Sequence, residues 1–227
     1  MTLSARLDDT ISRTRLLDHA YYRAWVAGEL TEDDMRGYAK SYFAHVLAFP
    51  RYVSGVHSQC EDLDARRALL DNLVDEESGD EHHPELWLRF AEGLGESREA
   101  VEGCRDAATA KLIDTFLGRI RSSYAEGLGA LYAYESQIPE IAETKVSSLS
   151  ETYDITDERT LAFFKVHAKA DVYHSRTLRE QIDGLTTEQG EQAEAAASEC
   201  ARGLWEFLSE LERRRTADEV QAVPLPA

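Results

Sequence analysis

Three side chains able to ligate a metal ion recur at i, i+4 and i+7 in the segment His167-Ala168-Lys169-Ala170-Asp171-Val172-Tyr173-His174. On an α-helix that spacing sets His167, Asp171 and His174 on one face. Leu161-Ala162-Phe163-Phe164 precede them and Leu178 and Ile182 follow, so the face belongs to an amphipathic helix turned toward a core. Two imidazoles and a carboxylate buried there without partners would be costly. Iron accepts such a mixed nitrogen and oxygen shell, and its open positions let dioxygen bind. A metal site inside a helical bundle takes ligands from several inward-facing helices. The rest of the set must therefore come from acids and histidines on other apolar faces.

Two stretches qualify. In Leu73-Val74-Asp75-Glu76-Glu77-Ser78-Gly79-Asp80-Glu81-His82-His83-Pro84, Glu76 and His83 lie about two helical turns apart. They share a face if the helix persists or bends gently at Gly79. Leu69, Leu73, Leu86, Trp87 and Phe90 turn that face to the core. The other acids here, Asp75 among them, read as a solvated face, and His82 points about 100° away from its neighbour. In Ala130-Leu131-Tyr132-Ala133-Tyr134-Glu135-Ser136-Gln137-Ile138-Pro139, Glu135 interrupts an apolar and aromatic run. A carboxylate there needs a partner, and a metal ion shared with another helix would serve. Lys145 follows just under three turns later and can face the same interior. Each residue has an ordinary alternative: a core histidine that is only hydrogen-bonded, or Glu135 paired with an arginine. As a set, Glu76, His83, Glu135, His167, Asp171 and His174 supply three carboxylates and three imidazoles, enough for two metal ions.

The elements that position them are helices. The chain has 227 residues, 43% of them hydrophobic, with three Trp, ten Tyr, seven Phe and only five Pro. That is enough for a sizeable core. Valine-isoleucine-threonine alternation is almost absent. The pattern predicts an all-α bundle of seven or eight helices over residues 1–215, followed by a flexible tail over 216–227. The first helix is expected from Ser4 through Val26, ended by Gly28. A second opens at Thr31 and kinks at Pro50. A long segment from Tyr124 to Ser150 contains Pro139, and the helix with the opening triplet spans Asp157 to Ile182.

Composition excludes several classes. Net charge is −18, with lysines only at 40, 111, 145, 165 and 169, a surface that repels nucleic acid and anionic membrane. No apolar run reaches the roughly 20 residues of a membrane span, and the N-terminus has no signal-peptide core, so a cytoplasmic protein is expected. Cys60, Cys104 and Cys200 are odd in number and form no CxxC, which argues against a disulfide scaffold or a zinc ribbon.

The order E-x6-H, then a Glu in an L-Y-x-Y-E-x-Q-x-P context, then H-x3-D-x2-H resembles the haem-oxygenase-like di-metal oxidases of the thiaminase-II and pyrroloquinoline-quinone-synthase-like superfamily. Within them it is similar to the branch containing the chlamydial protein associating with death domains. The resemblance runs from about His19 to Ile182, with NLVDEESGDEHHPELWLRFAEGLG and YAYESQIPEIAETK especially similar. It implies a seven-helix haem-oxygenase-like bundle holding two iron ions, or iron and manganese. It also implies dioxygen and an external reductant as co-reactants, and a homodimer. The implied activity is synthesis of para-aminobenzoate for folate, in which the enzyme oxidatively cleaves one of its own tyrosines and takes an amino group from a lysine. Carried over by position, the metal ligands fall on the same six residues. The sacrificed tyrosine falls on Tyr22 in HAYYRAW, with Tyr21 the alternative, the lysine on Lys145 in AETK, and a neighbouring aromatic on Tyr134. One departure is visible: Phe163-Phe164 stand where the family pattern has a tyrosine, which puts a radical relay through that point in question. Without the resemblance, Tyr22 reads as core packing with its hydroxyl bonded, and Lys145 as a surface residue.

Three other functions compete. A di-iron oxygenase of the same fold would keep the six ligands, act on an external amino acid or fatty acid, and make Lys145 dispensable. A metal-free thiaminase-like protein would need a nucleophilic cysteine in the pocket. A death-domain interaction protein would leave six inward ligands unexplained.

Overall fold

A computed structural model describes the backbone of residues 1–222 and the side chains of residues 1–217. The elements are α1 (Leu3–Ser12), a short 3-10 turn (Leu16–Asp18), α2 (Ala20–Ala27), α3 (Glu32–Gln59), α4 (Leu63–Glu77), α5 (His83–Gly93), α6 (Arg98–Gly103), α7 (Ala107–Ser122), α8 (Tyr124–Glu135), α9 (Ile138–Glu151), α10 (Glu158–Asp183) and α11 (Thr187–Ala222). No strand occurs among the described residues. Most helices start on a side chain that accepts from a free backbone N–H of the first turn. Thr31 and Asp34 form a reciprocal capping box on α3, and Asp62, Asp106, Ser123 and Asp157 cap α4, α7, α8 and α10.

The class is all-α as expected, and the described residues form eleven α-helices where seven or eight were expected, in part because two expected continuous segments are broken. The first stops at Ser12 and restarts at Ala20, where His19 Nδ1 accepts from Tyr21 N. The second break follows from Pro139. Its ring excludes the carbonyl four residues earlier, that of Glu135, and it has no N–H to give. Helix α8 therefore ends at Glu135, and α9 begins with Pro139 in its first turn. The interruption expected at Gly79 is present between Glu77 and His83, where Gly79 takes a left-handed φ of 76°. Conversely, α3 passes through Pro50 without interruption, packed by the buried Phe49, Tyr52, Val53 and Val56. The boundary expected at residue 215 is not seen: α11 continues to Ala222, and the remainder of the expected tail, 223–227, lies outside the described residues.

Helices α8 and α11 make the closest pairing. A Cβ on Gly129 would lie 2.0 Å from the Ala193 carbonyl oxygen, so only glycine lets the two backbones approach this far. Around this pair, α3, α5, α9 and α10 enclose one apolar core rich in aromatic rings, including Trp25, Tyr38, Trp87, Phe90 and Phe116. No described helix is long and apolar enough to cross a membrane.

Candidate metal centre

Four helices bring the six predicted ligands into the core: α4 with Glu76, α5 with His83, α8 with Glu135, and α10 with His167, Asp171 and His174. All six are at most 3% exposed. The amphipathic pattern of α10 dictates the burial of its triplet, since Leu161, Phe164, Leu178 and Ile182 share its inner face. Glu76 and His83 do not sit on one helix, as the expectation of a gentle bend had it. They face each other across the Gly79 turn. Glu135 is the last residue of α8 and Glu76 the penultimate residue of α4. Both carboxylates thus lie at the negative end of a helix dipole, a poor place for a bare anion and a good one for a cation.

The arrangement falls into two neighbouring groups. Ligand atoms of Glu76, His83 and His167 all lie within 4.8 Å of one another. His83 Nδ1 is 2.8 Å from Glu76 Oε2, and the two imidazole rings are 4.1 Å apart. In the second group, His174 Nδ1 is 3.4 Å from Asp171 Oδ1, and Glu135 is close enough to feel the charges of Asp171, His174 and Glu76.

The inner atoms are left unsatisfied. His83 Nδ1, Glu135 Oε2, Asp171 Oδ2 and His174 Nδ1 are buried and have no hydrogen-bond partner. The two histidine nitrogens have only the carboxylates of Glu76 and Asp171 at ion-pair distance, and the two carboxylate oxygens have no partner, a cost in an apolar core. Their outer atoms, by contrast, are held. His167 Nδ1–H donates to the Phe163 carbonyl at 2.7 Å, which leaves Nε2 as the inward lone pair. Asn72 Nδ2 donates to Glu135 Oε1 at 2.8 Å. His174 Nε2–H donates to Asp75 Oδ2 at 3.1 Å. Glu135 is therefore held by a neutral amide and not by an arginine. Outer groups that fix the tautomer and orientation while inner lone pairs stay free are what a metal site requires.

The electrostatics point the same way. Burial pushes the carboxyls of Glu76 and Glu135 up to about 8. It pulls His83 down to about 4 and lowers His167. For His174 burial is outweighed by the carboxylates of Asp171, Glu135 and Asp75, which raise it to about 9. Without a cation, the site holds protons where a metal would displace them. Three carboxylates and three imidazoles, His174 giving up its proton to do so, fit two divalent ions of the iron or manganese type.

His167 also lines a small cavity of about 20 Å³, together with Tyr22, Tyr38, Tyr134, Lys145 and Phe164 among others. That is room for one or two water molecules. Lys145 is 3% exposed, against the surface placement its sequence context suggested. Burial alone drives its amine well below the ordinary lysine value, toward the neutral form. Its Nζ donates to Tyr38 Oη and lies 4.8 Å from the centre of the Tyr22 ring and 5.2 Å from that of Phe164. The Tyr22 and Tyr38 hydroxyls are 3.2 Å apart. Burial pushes the Tyr22 phenol up to about 12, so it stays protonated at neutral pH. Tyr21 points elsewhere, its hydroxyl donating to the Asp34 carbonyl at 3.1 Å. Phe163 lies against the His167 ring at 4.0 Å between centroids and against Trp87 at 4.8 Å. His82, set aside in the sequence, caps α5 through Glu85 N.

Sequence reasoning passed over Tyr38, Asn72 and Asp75. Tyr38 was legible only as an apolar-face tyrosine of α3. Asn72 and Asp75 precede Glu76 by four and one positions, and the first spacing places Asn72 on the ligand's own face. Asp75 looked solvated and is indeed half-exposed, yet it holds His174. Replacing it by alanine is expected to weaken binding of one of the two ions by about 10- to 100-fold while leaving the other in place. Titration of metal-free protein with ferrous ion would show this as a split between two binding phases.

The comparisons agree with this geometry. Residues 36–206 match the model of a family described as iron-containing redox enzymes. A 4-aminobenzoate synthase of Chlamydia muridarum is 39% identical over 210 residues, covering 92% of this chain and 89% of the relative. One from Nitrosomonas europaea is 36% identical over 220 residues, covering 91% and 89%. Among solved structures, a TenA homologue from P. horikoshii superposes with a TM-score of 0.77 at 16% identity, over 94% of this chain and 99% of that one, a likeness of fold.

Proposed function

This chain belongs to the family of iron-containing redox enzymes, and on that premise we propose that it makes 4-aminobenzoate from its own Tyr22 with the amino group of Lys145. The observation that carries the reading is the content of the cavity beside His167. It contains a buried phenol and a buried amine and has no room for a further aromatic molecule. Tyrosine already has the skeleton of the product. Its Cβ stands para to its hydroxyl, as the carboxyl of 4-aminobenzoate stands para to its amino group. The change needed at the ring is nitrogen for oxygen at the carbon bearing the hydroxyl, with the Lys145 Cε–Nζ bond broken to release that nitrogen. At the other end the Cα–Cβ bond must break and Cβ be oxidised to the carboxyl, with dioxygen as the oxidant. The Tyr22 hydroxyl reaches Lys145 through Tyr38.

Glu76, His83 and His167 would hold one ion and Glu135, Asp171 and His174 the other, iron in both or iron with manganese. Ions of this kind supply the oxidising equivalents of dioxygen, with an external reductant furnishing electrons. The residues around them set the geometry. A lysine amine is a nucleophile only when neutral, and desolvation keeps Lys145 so. Tyr38 holds the Lys145 Nζ and the Tyr22 hydroxyl in one hydrogen-bonded line and can pass a proton between them. Phe163, Phe164 and Trp87 exclude water from that line.

The competing readings fit less well. An amino acid or fatty acid does not fit in about 20 Å³. A thiaminase-like mechanism needs a cysteine at the cavity, and Cys60, Cys104 and Cys200 do not line it. The test is stoichiometry. With iron, dioxygen and reductant in excess, 4-aminobenzoate is expected to plateau at one molecule per chain. Repeated turnover on an added small molecule would refute the reading.

A further inference from the structure

A product made in a cavity walled by buried side chains must leave it, and one of those side chains also lines a cleft at the surface. A surface cleft of about 210 Å³ lies where α1, α8, α9 and α10 meet. Ile141 on α9 lines both the cleft and the cavity beside His167. Two other surface clefts, one between α7 and α11 and one between α4 and α10, share no lining residue with the cavity.

Two exposed ion pairs involve the cationic residues that line the cleft. Arg179 pairs with Asp8 at 2.8 Å, and Arg15 pairs with Glu140, all four side chains being more than 40% exposed. Exposed pairs of this kind contribute only about 0–1 kcal/mol each. The cleft floor is the Ser136-Gln137 turn, which breaks the helix path between α8 and α9. Once parted from their partners, the Arg15 and Arg179 guanidiniums are suited to a carboxylate, which they can grip with two N–H groups. Beyond the cleft, a surface of net charge −18 repels an anion outward.

We propose that this cleft is the exit for a small aromatic carboxylate, with Ile141 as the gate and Arg15 and Arg179 as its first anion contacts outside. The proposal rests on the reading of the cavity given above, and its test separates the two. In iron-loaded protein given dioxygen and reductant, acid quenching measures all product formed, and rapid filtration measures product released. Ile141→Ala is expected to raise the rate constant of release at least tenfold, and Ile141→Trp to lower it at least tenfold, relative to total product in each variant. Equal release constants in all three proteins overturn the gate and leave the cavity chemistry standing. Absence of product in the unaltered protein overturns the cavity chemistry instead. The route is then decided in metal-free Tyr22→Ala protein, where the deleted ring leaves space for added 4-aminobenzoate. Association followed by quenching of tryptophan fluorescence should accelerate with Ile141→Ala and slow with Ile141→Trp. Unchanged association, or no binding at all, overturns the route.

Discussion

Tyr22→Phe is expected to yield no 4-aminobenzoate while binding the same two metal ions as the parent. The substitution removes one oxygen and keeps the ring, so packing against Tyr21 and Tyr38 is preserved. What is lost is the hydroxyl 3.2 Å from Tyr38 Oη, and with it the ring carbon–oxygen bond at which nitrogen would enter. No ligand of the metal centre is altered, so metal content should not change. Tyr21→Phe is the matched control. Its ring packs on Tyr38 but it does not line the cavity, its hydroxyl donates to the Asp34 carbonyl, and losing that bond costs stability of about 1 kcal/mol. Product should then persist. Chromatographic assay of product beside elemental analysis of the purified variants checks both halves. If Tyr22→Phe still makes product and Tyr21→Phe does not, the two tyrosines exchange roles. Product in both would remove tyrosine cleavage from the first turn of α2 altogether.

Lys145→Met is expected to abolish product and also to stabilise the metal-free protein at neutral pH. The first effect follows from loss of the amino group. The second follows from burial. Lys145 is held well below its ordinary value of 10.5 by desolvation, whereas the unfolded chain regains that value. Between the lower folded value and 10.5, unfolding takes up a proton, so stability rises with pH across that window and is reduced at neutral pH. Methionine, similar in length and apolar, removes the penalty. The melting midpoint of the variant should exceed that of the parent at pH 7, and the gap should close as pH approaches about 10.5. Lys145→Arg should behave oppositely and destabilise, because a guanidinium cannot shed its proton in the core. Thermal unfolding of the three proteins across this pH range gives the comparison. A Lys145→Met protein less stable than the parent at every pH would show that the amine is charged and paired in the fold.

The burial of the six candidate ligands was legible because helical spacing is rigid. Residues at i, i+4 and i+7 must share a face whatever surrounds them, and the apolar flanks of α10 said which way that face turns. Glu135 was visible for a similar reason, as one acid in an aromatic run. The relation of Glu76 to His83 was misjudged in form, since Gly79 breaks the helix and the pair meets across a turn. Where two continuous helices were expected, local chemistry won: His19 caps α2 through its side chain, and Pro139 ends α8 at Glu135. Tyr38 could not be assigned because its role depends on contact with Tyr22 and Lys145, distant in sequence, and nothing local distinguishes it from other core tyrosines. Asp75 was hidden by its own exposure. A half-solvated acid in an acidic stretch looks like surface, and only the position of His174 makes it a support for a ligand.

The measurement that bears most directly on the central claim is isotopic. Protein is produced with ring-labelled tyrosine, freed of small molecules, loaded with iron and exposed to dioxygen and reductant in unlabelled buffer. Product and the peptides containing residues 22 and 145 are then analysed by mass spectrometry. The account predicts labelled 4-aminobenzoate together with an equal loss of side-chain mass at Tyr22. Unlabelled product, or product formed while Tyr22 and Tyr21 remain intact, would contradict it.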